Sequence, residues 1–221
     1  LKKAVNYLDE NTVNTYERLK KRSPESMKDD HLGSMKIQYL YLRSLLISKY
    51  PIDGKTREAF EFYSKQARAF WLKKNMYMQA MISISMYNLG YRNDSESIIR
   101  SLKDRSLESE ELGMYWRKKS GWGWNEGSVE TQSMIIEAIS LINKENKDID
   151  KMKFWLLKQK QTQRWQTNSA TAEAVFVLLN GSNRLVEETK EVEIKLSGKT
   201  LAYDEDSKLE EGTSYRKISF S

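Results

Sequence analysis

Cysteine is missing from all 221 residues of this chain. That excludes disulfides, zinc thiolate sites and thiol nucleophiles among these residues, and it leaves the redox compartment open. Proline is nearly as scarce, with Pro24 and Pro51 the only two, and a chain so poor in breakers favours long helices. His31 is the only histidine. A lone imidazole without a cysteine partner cannot build a zinc site, and between Asp30 and Leu32 in a polar linker it reads as a surface residue in preference to a general base. Long apolar runs are absent too: the longest uncharged stretch, residues 75–91, carries Asn, Gln, Ser and Tyr and is too polar for a membrane span. There is no glycine-rich phosphate loop and no G-x-S-x-G elbow. No basic segment followed by an apolar one opens the sequence, so no signal peptide is expected at this end. The opening "LKKAVNYLDE" has the look of a helix interior without an initiator methionine, and the chain is expected to be a piece of a longer protein.

What is present is a core-forming composition under a heavily charged skin. Hydrophobic residues make up 39% and charged residues 31%, which is enough apolar material for one well-buried domain with a small second one. The net charge of +6 comes from 37 basic and 31 acidic residues. The two signs are interleaved, as in Lys144-Glu145-Asn146-Lys147-Asp148, with no arginine-rich arm. A nucleic-acid footprint needs basic residues clustered in sequence or on one face, so no nucleic-acid partner is expected.

Apolar spacing predicts a succession of helices. Residues 2–21 fit one loosely, ended by Pro24; residues 34–49 form a second, capped by Ser34 and apolar on more than one face. After the turn Pro51-Ile52-Asp53-Gly54, an amphipathic helix covers 56–72. A nearly uncharged helix follows over 76–89 and stops at Gly90, a natural left-handed terminator. Asn93 and Glu96 resemble a capping box for a helix over 94–105. Residues 108–116 read as a short helix, "KKSGWGWNEGS" as a connector, 128–142 as a broadly apolar helix, 148–161 as an amphipathic one, and the segment after Asn168 as a last apolar helix ending at Gly181. Broadly apolar helices therefore start near Ser34, Met76, Ser128 and Asn168, about 40 to 50 residues apart, with an amphipathic helix in each interval, the signature of stacked helical hairpins in an open solenoid or a closed α/α toroid. Beyond Gly181 the period changes to two. Val192-Glu193-Ile194-Lys195-Leu196 and Tyr215-Arg216-Lys217-Ile218-Ser219-Phe220 alternate as strands. The fold class expected is mainly α, helical hairpins followed by a short antiparallel β segment.

Candidate sites are few. Trp124 leads Thr131 and Trp165 leads Thr171 at nearly the same spacing, each pair opening an apolar helix. The tryptophans then pack between hairpins, while Thr131, Thr167, Asn168 and Thr171 are structural, with Asn168 or Ser169 as the cap of the last helix; the rival reading lines a central pocket with them. Glu126 and Glu130 form a conceivable glycosidase-like pair, but acidic residues at helix starts are favoured by the dipole anyway, and the same holds for Asp29 and Asp30. Asp204, Glu205 and Asp206 lack calcium-loop spacing. Tyr115, Trp116, Trp122 and Trp124 are candidates for an aromatic sugar-binding platform, although such clusters more often belong to a core.

In their order, Met114-Tyr115-Trp116, Ser128-Val129-Glu130-Thr131-Gln132, the run from Phe154 through Gln161, Trp165-Gln166-Thr167 with Ala174-Val175-Phe176-Val177-Leu178-Leu179, and the Val192 strand resemble the later part of the thioester-type domain of the alpha-2-macroglobulin family, in its bacterial, Bacteroides-type branch. The resemblance spans residues 33–196. It implies a complement-like α/α toroid, incomplete on its N-terminal side, over 1–183, and truncated strands of the flanking CUB-like domain over 184–221. It implies a fragment of a non-enzymatic endopeptidase inhibitor, a protease trap active in host interaction, in the periplasm, at the cell surface or secreted. Its partners would be proteases, met through the full-length parent, and the parent's other domains; a membrane would be reached only by a lipid anchor outside this fragment. With no cysteine there is no Cys-x-Glu-Gln motif, so no thioester, catalytic residue, cofactor or metal is expected here. The alternatives are an α/α-toroid carbohydrate lyase or hydrolase using His31, Glu126 or Glu130, and a carbohydrate or peptide binding module.

Overall fold

A computed structural model describes residues 1–22, 25–117, 128–162, 165 and 167–180, and the backbone of 194–196 and 199–201. Two compact units divide the chain, Leu1–Leu178 and Leu179–Ser221. The described residues are mainly α. In order they form α1 (Lys2–Arg22), a 3-10 turn (Glu25–Lys28), α2 (Ser34–Leu46), α3 (Gly54–Phe70), α4 (Met76–Asn88), α5 (Arg92–Lys103), β1 (Leu107–Ser109), β2 (Gly113–Tyr115), α6 (Ser128–Ile142), α7 (Asp148–Thr162) and α8 (Asn168–Leu179). In the second unit β3 (Ile194–Leu196) and β4 (Lys199–Leu201) pair antiparallel, Ile194 opposite Leu201 and Leu196 opposite Lys199. The alternating residues 215–220 lie outside the described part.

The four broadly apolar helices begin at Ser34, Met76, Ser128 and Asn168, where the sequence pattern puts them. Among them α4 is central, packing on α2, α5 and α6. Every residue from Tyr77 to Met86 is buried, as expected of a helix covered on all sides. Both its ends are defined by local chemistry. Asn75 caps the start by accepting from the Met78 amide at 2.9 Å. At the other end Gly90 has φ +86°, and the amides of Tyr91 and Gly90 donate to Met86 and Tyr87 oxygens at 2.9 and 3.1 Å, a Schellman closure that satisfies the orphan carbonyls.

Its neighbour α5 is one-faced. α5 buries only Ser95, Ile98, Ile99 and Leu102, the i, i+3, i+4, i+7 stripe of an amphipathic helix. Serine lets α4 and α5 approach closely: Ser83 Oγ donates to the Ser95 carbonyl at 3.1 Å and Ser95 Oγ to the Ser83 carbonyl at 2.9 Å, with both residues fully buried. The loose apolar pattern of α1 also has a structural counterpart. Only Val5, Thr12 and Tyr16 are buried along it. Polar bonds fasten it instead: Tyr39 donates to Asp9 at 2.7 Å, Tyr16 to Glu58 at 2.9 Å, and the fully buried Arg43 sets its Nε 3.1 Å from Asp9 while Nη2 donates to the Tyr50 carbonyl at 3.0 Å.

One element differs from its sequence reading. Residues 108–116 are not a helix; β1 and β2 form an antiparallel hairpin with Leu107 opposite Tyr115 and Ser109 opposite Gly113. The helix-favouring Glu110-Glu111-Leu112 is overridden because Gly113, at φ +75°, turns the chain, and Met114 and Trp116 on either side of Tyr115 both enter the core. Trp116 is fixed there by its Nε1, which donates to the Leu102 carbonyl at 2.7 Å. The start of α5 differs as well: it begins at Arg92 with no side-chain cap, ahead of the Asn93–Glu96 box.

Gln132 ties the hairpin to the helices. Its buried Nε2 donates to the Met114 carbonyl of β2 at 2.9 Å and to the Met152 carbonyl of α7 at 3.1 Å. Gln132→Leu keeps the volume and strands both acceptors, so a loss of about 2 to 4 kcal/mol is expected. In urea unfolding this appears as a lower midpoint with an unchanged slope; an unshifted midpoint means that water reaches those carbonyls.

Candidate functional site

Several ionisable groups on the apolar helices converge, while Tyr39 and Arg43 of α2 turn instead to Asp9 on α1. Tyr41 on α2, Tyr77 on α4, Glu130 and Glu137 on α6, and Glu173 on α8 form one phenol–carboxyl cluster. Glu130 and Glu137 are two turns apart on α6, hence on the same side of it. Tyr41 donates to Glu137 Oε1 at 2.6 Å. Tyr77 donates to Glu173 Oε1 at 3.2 Å, and Ser169, one turn before it on α8, donates to the same oxygen at 3.2 Å. Glu130 Oε1 accepts from Thr167 at 2.9 Å.

Thr167 has a second role. Its Oγ1 accepts from the Ala170 amide at 2.9 Å, the geometry of an N-cap. The cap therefore lies one residue ahead of Asn168 and two ahead of Ser169, the residues expected to supply it. Thr171 returns a hydroxyl to the Thr167 carbonyl at 3.1 Å, Asn168 is exposed, and Thr131 is buried in the first turn of α6. Trp165 is half-buried and packs against the core, and its Nε1 has no hydrogen-bond partner among the described residues.

Burial governs the electrostatics. Desolvation raises the Glu173 carboxyl to about 7; the hydroxyls of Ser169 and Tyr77 counter this, and the charges of Glu130 and Glu137 reinforce it. Its Oε2 is buried without a hydrogen-bond partner among the described residues, so no donor is in place to stabilise a full negative charge on that side. Burial likewise pushes Glu137 up, opposed by the Tyr41 hydroxyl. Tyr41 and Tyr77 are held protonated, raised first by burial and then by the carboxyls beside them. The cluster can thus donate and accept hydrogen bonds and take up or release a proton near neutrality. Among the described residues no group of three His, Cys, Asp or Glu is arranged to hold a metal ion.

The other candidates fall elsewhere. Tyr115 stacks on Trp155 with ring centres 6.0 Å apart, and Trp116 is buried, so these two rings face protein and present no open platform. Trp122, Trp124, Glu126 and residues 204–206 lie outside the described part. His31 sits between the 3-10 turn and α2, its Nε2 bonded to the Ser26 carbonyl and its amide donating to Gln66 Oε1 at 2.9 Å. Asp30 accepts from the Leu32 amide and from Lys74. Of the sequence candidates, Glu130 is in the cluster, and Thr167 and Ser169 hydrogen-bond to its carboxyls. Glu137 and Glu173 were missed, yet each had a signal: it is the one charge inside its apolar run, "MIIEAISLI" and "ATAEAVFVLL".

The structure thus defines a helical-hairpin protein whose apolar helices meet around a protonatable carboxyl cluster. Comparison with protein-family models, with curated proteins and with solved structures finds no match. No described helix is long and apolar enough to cross a membrane.

Proposed function

We propose that the chain is part of a bacterial alpha-2-macroglobulin-like endopeptidase inhibitor and acts without catalysis of its own. The observation that carries this reading is that two extensively buried helices, α4 and α6, are interleaved with the one-faced α3 and α5, in a chain whose segments follow the order of those that resemble the family. On this reading the hairpins belong to an incomplete α/α toroid, and the residues after it to a flanking CUB-like β domain. The parent meets proteases in the periplasm or at the cell surface. The module transmits the rearrangement that follows bait cleavage, and no thioester contributes from these residues because they contain no cysteine. The test mixes the parent protein with a broad-specificity protease. Cleavage-triggered compaction, with large substrates protected and small ones still cut, is the expected result; neither compaction nor protection overturns the reading.

A second reading, an α/α-toroid carbohydrate-active enzyme, is favoured by one specific observation. Glu173 and Glu137 are carboxyls raised by burial, as a general acid requires. Screening with a panel of polysaccharides separates the two: turnover lost in Glu173→Gln supports the enzyme, and absence of turnover removes it.

A further inference from the structure

On the N-terminal side of the helical unit, a cleft of about 620 Å³ opens between α1, the start of α2 and α3. Thr15, Arg18, Leu19 and Arg22 line it from one face of α1, a spacing of one helical stripe. Lys36 and Met35 come from the first turn of α2, Tyr63 from α3 and His31 from the linker. Among the described residues no carboxylate lines it. None of the three cations is in an ion pair among the described residues, where the ion pairs engage Lys20, Arg43, Arg68, Lys74, Lys103 and Lys151; Arg18 Nε donates only to the Asn14 carbonyl of its own helix, at 3.2 Å.

Arg18 and Arg22 are exposed, and of the three cations Lys36 is the one that burial penalises. Lys36 is half-buried, with its ammonium 5.2 Å from the Tyr63 ring centre and 3.2 Å from Thr12 Oγ1. Burial first, and the Arg18 charge second, lower its proton affinity. An anion in the cleft offsets both effects. The start of α2 reinforces this, since Gly33 provides no side-chain cap and the helix dipole leaves that end positive. The space exceeds what a single inorganic ion fills, and the apolar Leu19 and Met35 offer a surface to an organic body.

We infer that this cleft binds a small organic oxyanion, its charged group held by Arg18, Arg22 and Lys36 and its body against Leu19 and Met35. Guanidinium forks suit the planar or tetrahedral oxygens of carboxylates and phosphate esters. Calorimetric titration of the whole chain with phenyl phosphate, inorganic phosphate and succinate tests this. Phenyl phosphate is expected to saturate one site at least tenfold more tightly than inorganic phosphate, and Arg18→Gln and Lys36→Met are each expected to weaken it at least tenfold. Lys20→Gln, a neighbouring cation on α1 that pairs with Glu58 outside the lining, leaves it unchanged. Stronger binding of succinate assigns the oxyanion as a carboxylate and keeps the site. Arg18 is exposed, so its variant retains the fold, which thermal melting verifies, even where Lys36→Met does not. Failure of all three compounds to saturate, or equal weakening by Lys20→Gln and Arg18→Gln, overturns the inference.

Discussion

Gly113→Ala is expected to cost about 4 kcal/mol or more and to unfold a large share of the protein at physiological temperature. Two effects add at this position. The backbone has φ +75°, a region in which a side chain is strained by about 1 to 2 kcal/mol. In addition, a Cβ here stands 2.3 Å from the Lys151 carbonyl oxygen and 3.2 Å from its carbon. Those are backbone atoms of α7, so relief requires the helix to move away from β2 as a body, and interiors packed to crystal density resist that. Gly90 provides the control. Its φ is +86°, but nothing lies within 4 Å of the added Cβ, so Gly90→Ala is expected to lose only the strain, about 1 to 2 kcal/mol. Urea unfolding of both variants isolates the clash as the difference between them. Equal losses would mean that α7 yields to β2 at little cost, and that the hairpin is not held against it.

The same hairpin marks the limit of what local pattern reveals. Its residues Glu108 to Leu112 favour a helix by propensity, and the strand–turn–strand course they take comes from partners remote in sequence: Lys151 against Gly113, Gln132 holding the Met114 carbonyl, and Leu102 receiving Trp116. By contrast, the starts of α2, α4, α6 and α8 are legible because each opens a run rich in apolar residues, uncharged throughout only in the extensively buried α4, and the Gly90 stop is legible because only a left-handed residue closes that turn. The cluster was half legible. A single Glu inside an apolar helix is a visible anomaly, but which phenol meets which carboxyl depends on how α2, α4, α6 and α8 pack. The oxyanion cleft was not legible at all: Arg18 and Arg22 look like any solvated face of α1 until α2 and α3 bring Lys36 and Tyr63 opposite them.

The cluster's chemistry predicts an unusual stability profile. Glu173 retains its proton in the folded state up to about pH 7, whereas an unfolded chain releases it near the ordinary glutamate value of about 4.3. Between those values the native state binds more protons than the unfolded one, so stability falls as pH rises through that window, the reverse of the usual carboxylate contribution. The full shift corresponds to about 4 kcal/mol, reduced toward 2 by partial solvent access. Glu137, also raised by burial, contributes in the same direction. The groups facing Glu173 are Tyr77, Ser169, Glu130 and Glu137; the two phenols, Tyr77 and the Tyr41 bonded to Glu137, stay protonated throughout, so the slope belongs to the carboxyls. Glu173→Gln is expected to flatten the profile. Its amide oxygen still accepts from Ser169 and Tyr77 while its NH2 replaces the unpartnered Oε2, so below pH 5 the variant matches the wild type or falls short by about 1 kcal/mol. Above pH 7.5 it is expected to exceed the wild type by about 2 kcal/mol. Chemical unfolding at half-unit steps from pH 4.5 to 8.5 reads this directly as two curves that cross. Parallel curves would show that Glu173 ionises in the fold as readily as in the unfolded chain, and would also withdraw its support for the enzyme reading, since a carboxyl ionised like any other has lost the acid's qualification.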